Sequence, residues 1–184
     1  MAVRDVTFSL LRDFGINRIF GNPGSTELPM FRDFPADFQY VLGLQESVVV
    51  GMADGYAQAT HNAALVNLHS AAGVGHAMGN IFTAYRNRTP LVITAGQQSR
   101  SLLQMEPFLF SAQATELPKP YVKWSAEPAR PEDVPAAIAR AYGCQAERLK
   151  SAAELAPALK RALASGVPYL LDVPMKNNPT PTTG

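Results

Sequence analysis

The chain has 184 residues, 47% hydrophobic and 17% charged, which is enough apolar material for one folded domain with or without an appendage and argues against a disordered chain. Its 16 Lys+Arg against 15 Asp+Glu leave a net charge of +1 with no basic cluster, which argues against a nucleic-acid binder. The one cysteine, Cys144, cannot form an intramolecular disulfide, the charged N-terminus lacks a signal-peptide core, and no apolar run approaches the roughly 20 residues of a membrane span, so a soluble, cytoplasmic α/β protein with no membrane contact is expected.

Val3, Val6, Leu10, Leu11 and Phe14 form one helical stripe, with Gly15 as its stop. A short strand at 18–20 runs into the turn Gly21-Asn22-Pro23-Gly24-Ser25, and a short helix over 26–32 follows. Residues 38–44 read as a strand. A helix over 45–60 should carry Val48, Met52, Tyr56 and Ala59 on one face, with Gly51, Ala53, Gly55 and Ala57 allowing close packing. The next strand is 64–69, a turn is expected over 70–75, a helix then runs to about 87, and 90–95 is a further buried strand. Beyond it, 99–120 is irregular with a short helix near 108–114, and 121–124 reads as a strand. Pro131-Glu132-Asp133 opens a helix to 142. A short strand is possible over 144–150, Ser151-Ala152-Ala153-Glu154 is a capping-box pattern opening a helix to about 165 with Pro157 inside it, 169–173 is a last strand, and 175–184 reads as a tail.

Alternating strands and helices imply a doubly wound, mostly parallel sheet with helices on both faces. Ligand chemistry in such sheets gathers beyond the carboxyl ends of the strands. Those ends are 21–25, 45–46, 69–70 and 96–97.

Three residues at these ends could carry chemistry. Glu46 opens a helix, so it is either an acid favoured by the helix dipole or a carboxylate in an apolar setting able to share a proton with a ring nitrogen. His69 is either a structural histidine or an acid/base group facing the cleft. Ser25 is a turn or cap serine unless its hydroxyl meets a ligand. Gly73-Val74-Gly75-His76-Ala77-Met78-Gly79 departs from the dinucleotide fingerprint by one residue at the third glycine, and close backbone packing explains these glycines.

Taken together, Gly21-Asn22-Pro23-Gly24-Ser25, Gln45-Glu46, Asp54-Gly55-Tyr56-Ala57 and Asn67-Leu68-His69-Ser70-Ala71-Ala72-Gly73 resemble the pyrimidine-binding domain of thiamine diphosphate enzymes. Thr94-Ala95-Gly96-Gln97-Gln98 and Val122-Lys123-Trp124-Ser125 point within that family to the benzoylformate decarboxylases. The resemblance covers about 3–142 and implies the thiamine diphosphate-binding fold and non-oxidative decarboxylation of an aryl 2-oxo acid to an aldehyde. It also implies thiamine diphosphate with magnesium as cofactor and a homodimer or homotetramer. By the same resemblance Glu46 would hydrogen-bond the aminopyrimidine ring, Pro23 and Gly24 would line its pocket, Ser25 would orient the substrate carboxylate, and His69 would hydrogen-bond the substrate and relay protons. Aromatic residues Phe82, Tyr85, Phe108 and Phe110 could line an aryl pocket, or else pack in the core.

The family's diphosphate site, marked by Gly-Asp-Gly and a downstream Asn-Asn, is not found; Ala53-Asp54-Gly55 belongs to the pyrimidine-domain helix, and Asn177-Asn178 lies in the tail. No metal ligand is assigned, and neither His61 nor His76 matches the family's second catalytic histidine. Residues 143–174 resemble the end of the diphosphate-binding domain, as though joined near 139–143 by internal deletion, and are expected to complete the same sheet. The expectation is a chain inactive alone, with a non-catalytic oligomerisation module of the same family as the alternative.

Overall fold

In the computed structural model, which describes residues 2–143, 145–148, 152–164 and 169–172, an N-terminal helix leads into a run of strand–helix repeats. The elements are α1 (Val3–Asp13), β1 (Arg18–Gly21), α2 (Leu28–Phe31), β2 (Gln39–Leu42), α3 (Glu46–Thr60), β3 (Ala64–Leu68), α4 (Ser70–Asn87) and β4 (Leu91–Ala95). Packing divides the chain into two units, 1–135 and 136–184, slightly earlier than the sequence boundary at 142/143.

The four strands of the first unit are all parallel, in the order β2-β1-β3-β4. Central β3 is buried along its whole length, which explains its unbroken apolar run of Ala64, Leu65, Val66 and Leu68. Parallel order places the carboxyl ends Gly21, Leu42, Leu68 and Ala95 along one edge of the sheet, where the connecting loops meet.

The buried residues of α3 include Glu46, Val49, Val50, Ala53, Asp54 and Ala57. That spacing is one helical face, against which β1, β3 and α4 all pack. The face is rotated from the one expected: Val48 is 55% exposed, because a helix covered by both a sheet and a second helix buries a wider stripe centred elsewhere. Of the small residues, Ala53 and Ala57 point inward, Gly51 faces Asn80, and Gly55 faces open space. Inside this layer the Asp54 carboxylate accepts from Gln58 Nε2 at 2.9 Å and from Asn87 Nδ2 at 2.8 Å, so a buried charge is hydrogen-bonded where α3 meets α4.

Three other expectations are corrected. The turn expected over 70–75 is helical from Ser70, and the reversal is confined to Ser70 itself, at φ +54°. Residues 121–124 form no strand; Tyr121 instead packs edge-on to Phe82, ring centres 5.1 Å apart, and lies 5.9 Å from Tyr85. The helix expected near 108–114 is a series of turns, the helical piece lying earlier as a 3-10 segment, Arg100–Met105.

Residues Pro131–Asp133 form a 3-10 turn that opens α5 (Val134–Tyr142). In the second unit, β5 (Gln145–Arg148) and β6 (Tyr169–Asp172) flank a 3-10 turn, Ala152–Glu154, and α6 (Leu155–Ala164). Pro157 falls in the first turn of α6, where its missing N–H costs nothing. β5 and β6 pair in parallel with each other, in a two-stranded sheet. A crossover as short as α6 lets the two strands satisfy each other locally. Cys144, Ser151 of the capping-box pattern, and the tail at 175–184 lie outside the described residues.

Candidate active site

The loop after β1 binds the carboxyl edge together through two glutamates. Glu46 is the first residue of α3, capped by Gln45, whose Oε1 accepts from Val48 N at 2.9 Å. Helical spacing puts Glu46 on the same stripe as Val49, Val50 and Ala53, which is why a carboxylate at a helix start is only 8% exposed. Its Oε1 accepts from Asn22 Nδ2 at 3.2 Å, and its Oε2 lies 3.2 Å from His76 Nδ1. Gly73 of α4 backs onto it: a methyl group there would sit 3.3 Å from Glu46 Cγ and 3.5 Å from Oε1.

The second carboxylate is Glu27, between the loop and α2, with a side chain only 1% exposed. Its Oε1 accepts from Thr26 Oγ1 at 2.5 Å, Gly96 N at 2.9 Å and Ser70 N at 3.3 Å. Its Oε2 accepts from Gly24 N at 2.8 Å and lies 2.8 Å from His69 Nδ1. Burial alone would push this carboxyl up, but the hydrogen bonds from Thr26, His69 and Gly24, with the electrostatic pull of His69, outweigh it and hold it below its ordinary value. The nearby Tyr40 phenol is raised by its own burial and by the Glu27 charge, so it stays a neutral donor, reaching Asn67 Oδ1 at 3.5 Å.

Three strand ends, at Gly24, Ser70 and Gly96, thus donate backbone N–H groups to one carboxylate. Gly96 must be glycine, since a side chain would run into Glu27 and Thr26; Gly24 must be, since one would overlap the His69 ring. Asn67 completes the edge, its carbonyl accepting from Asn22 N at 3.3 Å and its Nδ2 donating to Thr94 Oγ1 at 3.1 Å.

Of the residues picked from sequence, Gly24 and His69 are in contact, and Glu46 is joined to the same loop through Asn22, with Pro23 between. Ser25 is on that loop and exposed. Phe82 and Tyr85 are 44% and 50% exposed and Phe108 fully so, so these three are not core residues. Sequence reasoning missed Glu27 and gave His76 no role. A signal for Glu27 existed: it lies three residues after Gly24, and the pair exchange a reciprocal bond, Glu27 N to Gly24 O at 3.2 Å, as in a capping box. For His76, the spacing Glu46–Ser47 against Gly73–Asn80 across two packed helices is not readable in one dimension.

Among the described residues no group of three or more His, Cys, Asp or Glu could hold a metal ion, and no helix is long and apolar enough to cross a membrane. The arrangement offers a buried acceptor carboxylate at one point of the edge and a fixed imidazole at another.

The family model for the thiamine pyrophosphate enzyme, N-terminal TPP binding domain, matches residues 1–116. The chain is 53% identical over 139 residues to benzoylformate decarboxylase of Pseudomonas aeruginosa, covering 76% of this chain and 26% of that protein. The crystal structure of benzoylformate decarboxylase from Polynucleobacter necessarius superposes with a TM-score of 0.76 at 44% identity, covering 100% of this chain and 32% of that one. A thiamine diphosphate-dependent 4-hydroxybenzoylformate decarboxylase of Rhodococcus jostii RHA1 superposes with a TM-score of 0.75 at 44% identity, over 95% of this chain and 30% of that one. The chain therefore spans about a quarter of the length of that curated relative. By the family match, and by a parallel sheet whose loops gather these residues at one edge, the chain belongs to the thiamine pyrophosphate enzymes through their N-terminal TPP binding domain.

Proposed function

We propose that this chain supplies the pyrimidine-binding, cofactor-activating part of a thiamine diphosphate-dependent 2-oxo-acid decarboxylase acting on an aryl 2-oxo acid. The observation that carries the reading is Glu46, a carboxylate on the buried stripe of α3 whose oxygens meet Asn22 and His76 and which packs against Gly73 of α4. A buried carboxylate at this edge is a group with which a ring nitrogen of an aminopyrimidine could share a proton. When bound, thiamine diphosphate supplies the electron sink that allows a 2-oxo acid to lose carbon dioxide. Glu46 would hydrogen-bond a ring nitrogen and exchange a proton with it, and Pro23 and Gly24 would form the wall. Ser25, exposed on the same loop, orients the substrate carboxylate. His69 hydrogen-bonds the substrate and relays protons.

The diphosphate and metal end of the cofactor does not fit the described residues, which offer no ligand cluster. A metal-held diphosphate would need ligands beyond the described residues, and charge-assisted phosphate contacts are the strong ones. On this reading the chain alone is inactive; by resemblance to the family it works as a homodimer or homotetramer in the cytoplasm, and its 143–174 segment stands for an ending joined by internal deletion. The test is twofold. Benzaldehyde release from benzoylformate, with thiamine diphosphate and magnesium added, is expected below detection. The isolated ring, 4-amino-2-methylpyrimidine, is expected to shift the amide resonances of 45–48 and 73–76, and Glu46→Ala to abolish those shifts. Ring binding unaffected by Glu46→Ala contradicts the reading.

The second reading, a non-catalytic oligomerisation module, is favoured by the exposed Leu42, Leu44 and Val48 around the start of α3, of which Leu44 is 90% exposed. A strict monomer in sedimentation at high concentration counts against it.

A further inference from the structure

We propose that Glu27 is a positioning residue that fixes His69 in the tautomer carrying its proton on Nδ1, leaving Nε2 to face a ligand. Three of the groups that point at Glu27, the N–H of Gly24, Ser70 and Gly96, can only donate. Against the upward push of burial, the hydrogen bonds from Thr26, His69 and Gly24 hold the Glu27 carboxyl below its ordinary value, so at neutral pH it is an ionised, acceptor-only group and the His69 nitrogen 2.8 Å from Oε2 donates to it. Thr26 Oγ1 strengthens the choice. It lies 3.3 Å from the same Nδ1, and since its hydrogen is given to Glu27 Oε1, it can only accept from the ring. Two acceptors thus converge on Nδ1, and Nε2 has no hydrogen-bond partner among the described residues.

The ring is held in place as well as in tautomer. The Gly24 backbone packs on the imidazole so closely that a side chain there would overlap Nδ1, Cε1 and Nε2, while the His69 side chain remains 26% exposed. In the neutral ring the free Nε2 is an acceptor; once protonated it is a donor. His69 can therefore take up and return a proton at one atom without turning, which is what a relay requires. Glu27 acts only through His69 and, being 1% exposed, touches no ligand itself. The value of this device rests on His69 facing a ligand, as proposed above, but the tautomer can be read with no ligand present.

The experiment uses the full chain labelled with 15N, and long-range proton–nitrogen correlation spectra of the imidazoles. The three histidines are assigned by single His61→Gln and His76→Asn substitutions. In its neutral form, wild-type His69 is expected to show a pyrrole-type Nδ1 and a pyridine-type Nε2. Neutral His69 with its proton on Nε2 overturns the proposal without any variant at Glu27. In Glu27→Gln, three donors (Thr26, Ser70 and Gly96) claim the amide oxygen, which turns the NH2 toward Nδ1, so inversion of the tautomer is expected. Glu27→Asp is expected to restore it. A folded Glu27→Gln chain that keeps the proton on Nδ1 also overturns the proposal, since a carboxylate that merely tied the loops together would leave the tautomer unmoved. Should the pyrimidine ring fail to bind while the Nδ1–H tautomer is seen, the functional reading falls and the role of Glu27 stands.

Discussion

Replacing Glu27 by glutamine is expected to destabilise the chain by about 3 kcal/mol at pH 7, and the loss should shrink in acid. The carboxylate serves five donors, at 2.5, 2.8, 2.8, 2.9 and 3.3 Å. Hydrogen bonds to a charged group are worth about 1.5–3 kcal/mol each against roughly 1 for a neutral one, and a buried donor left facing another donor costs about 1–3 kcal/mol. In the variant, the amide oxygen keeps three donors at reduced strength and Gly24 N–H loses its acceptor, which gives the figure of about 3 kcal/mol without assuming that the five bonds add. The pH dependence follows from the lowered Glu27 carboxyl. Its stabilisation is fully present above the unfolded value of 4.5 and is lost as pH falls through the lower folded value. The other carboxylates are common to both proteins and cancel in the difference. Urea unfolding of wild type and variant, followed by far-UV ellipticity, should therefore show a gap at pH 7 that narrows as the pH falls below 4.5. Equal midpoints at pH 7, or a gap that widens below pH 4.5, would show that the ionised Glu27 carboxylate does not carry this stabilisation.

Gly55→Ala should stabilise by about 0.8–1 kcal/mol, since a methyl group there meets nothing within 4 Å in the middle of α3, and the urea midpoint at constant m-value reads the gain. Leu65→Ala, at a fully buried site in the central strand, should cost about 2–5 kcal/mol in the same assay; a loss under about 1 would mean that the β3 layer is not the core. Gly73→Ala adds a methyl 3.3 Å from Glu46 Cγ within α4; the helix propensity gain of about 1 kcal/mol should offset the crowding, so stability is expected to change little while binding of 4-amino-2-methylpyrimidine weakens, as read by amide shifts.

Most of the sheet was legible because buried parallel strands write themselves as short apolar runs, and 64–68 is one in full. The four loop regions at the strand ends were legible for the same reason, and the structure does join them: Gly24, Ser70 and Gly96 meet at Glu27, and Asn22 meets Glu46. What was not legible depends on which neighbours cover an element. Val48 looked like a core residue from its period, yet α3 is covered on two sides and its buried stripe starts at Glu46. Small residues at 70–75 looked like a turn, whereas in a helix against Glu46 they make close approach possible. Glu27 had the profile of a solvent-exposed acid near a helix start, and only the folding back of three strand ends buries it. The pairing of β5 with β6 was not legible either, because a strand's pattern says that it pairs, not with which partner.

The most direct test of the central claim is calorimetric titration of thiamine diphosphate into the purified chain, with and without magnesium, in wild type and Glu46→Ala. Weak binding that magnesium does not strengthen and that Glu46→Ala removes is expected, because in the proposed reading Glu46 meets the pyrimidine ring while the described residues hold no metal-ligand cluster. Tight, magnesium-dependent binding that survives Glu46→Ala would contradict it, by showing a complete diphosphate site and a cofactor held without the carboxylate on which the reading rests.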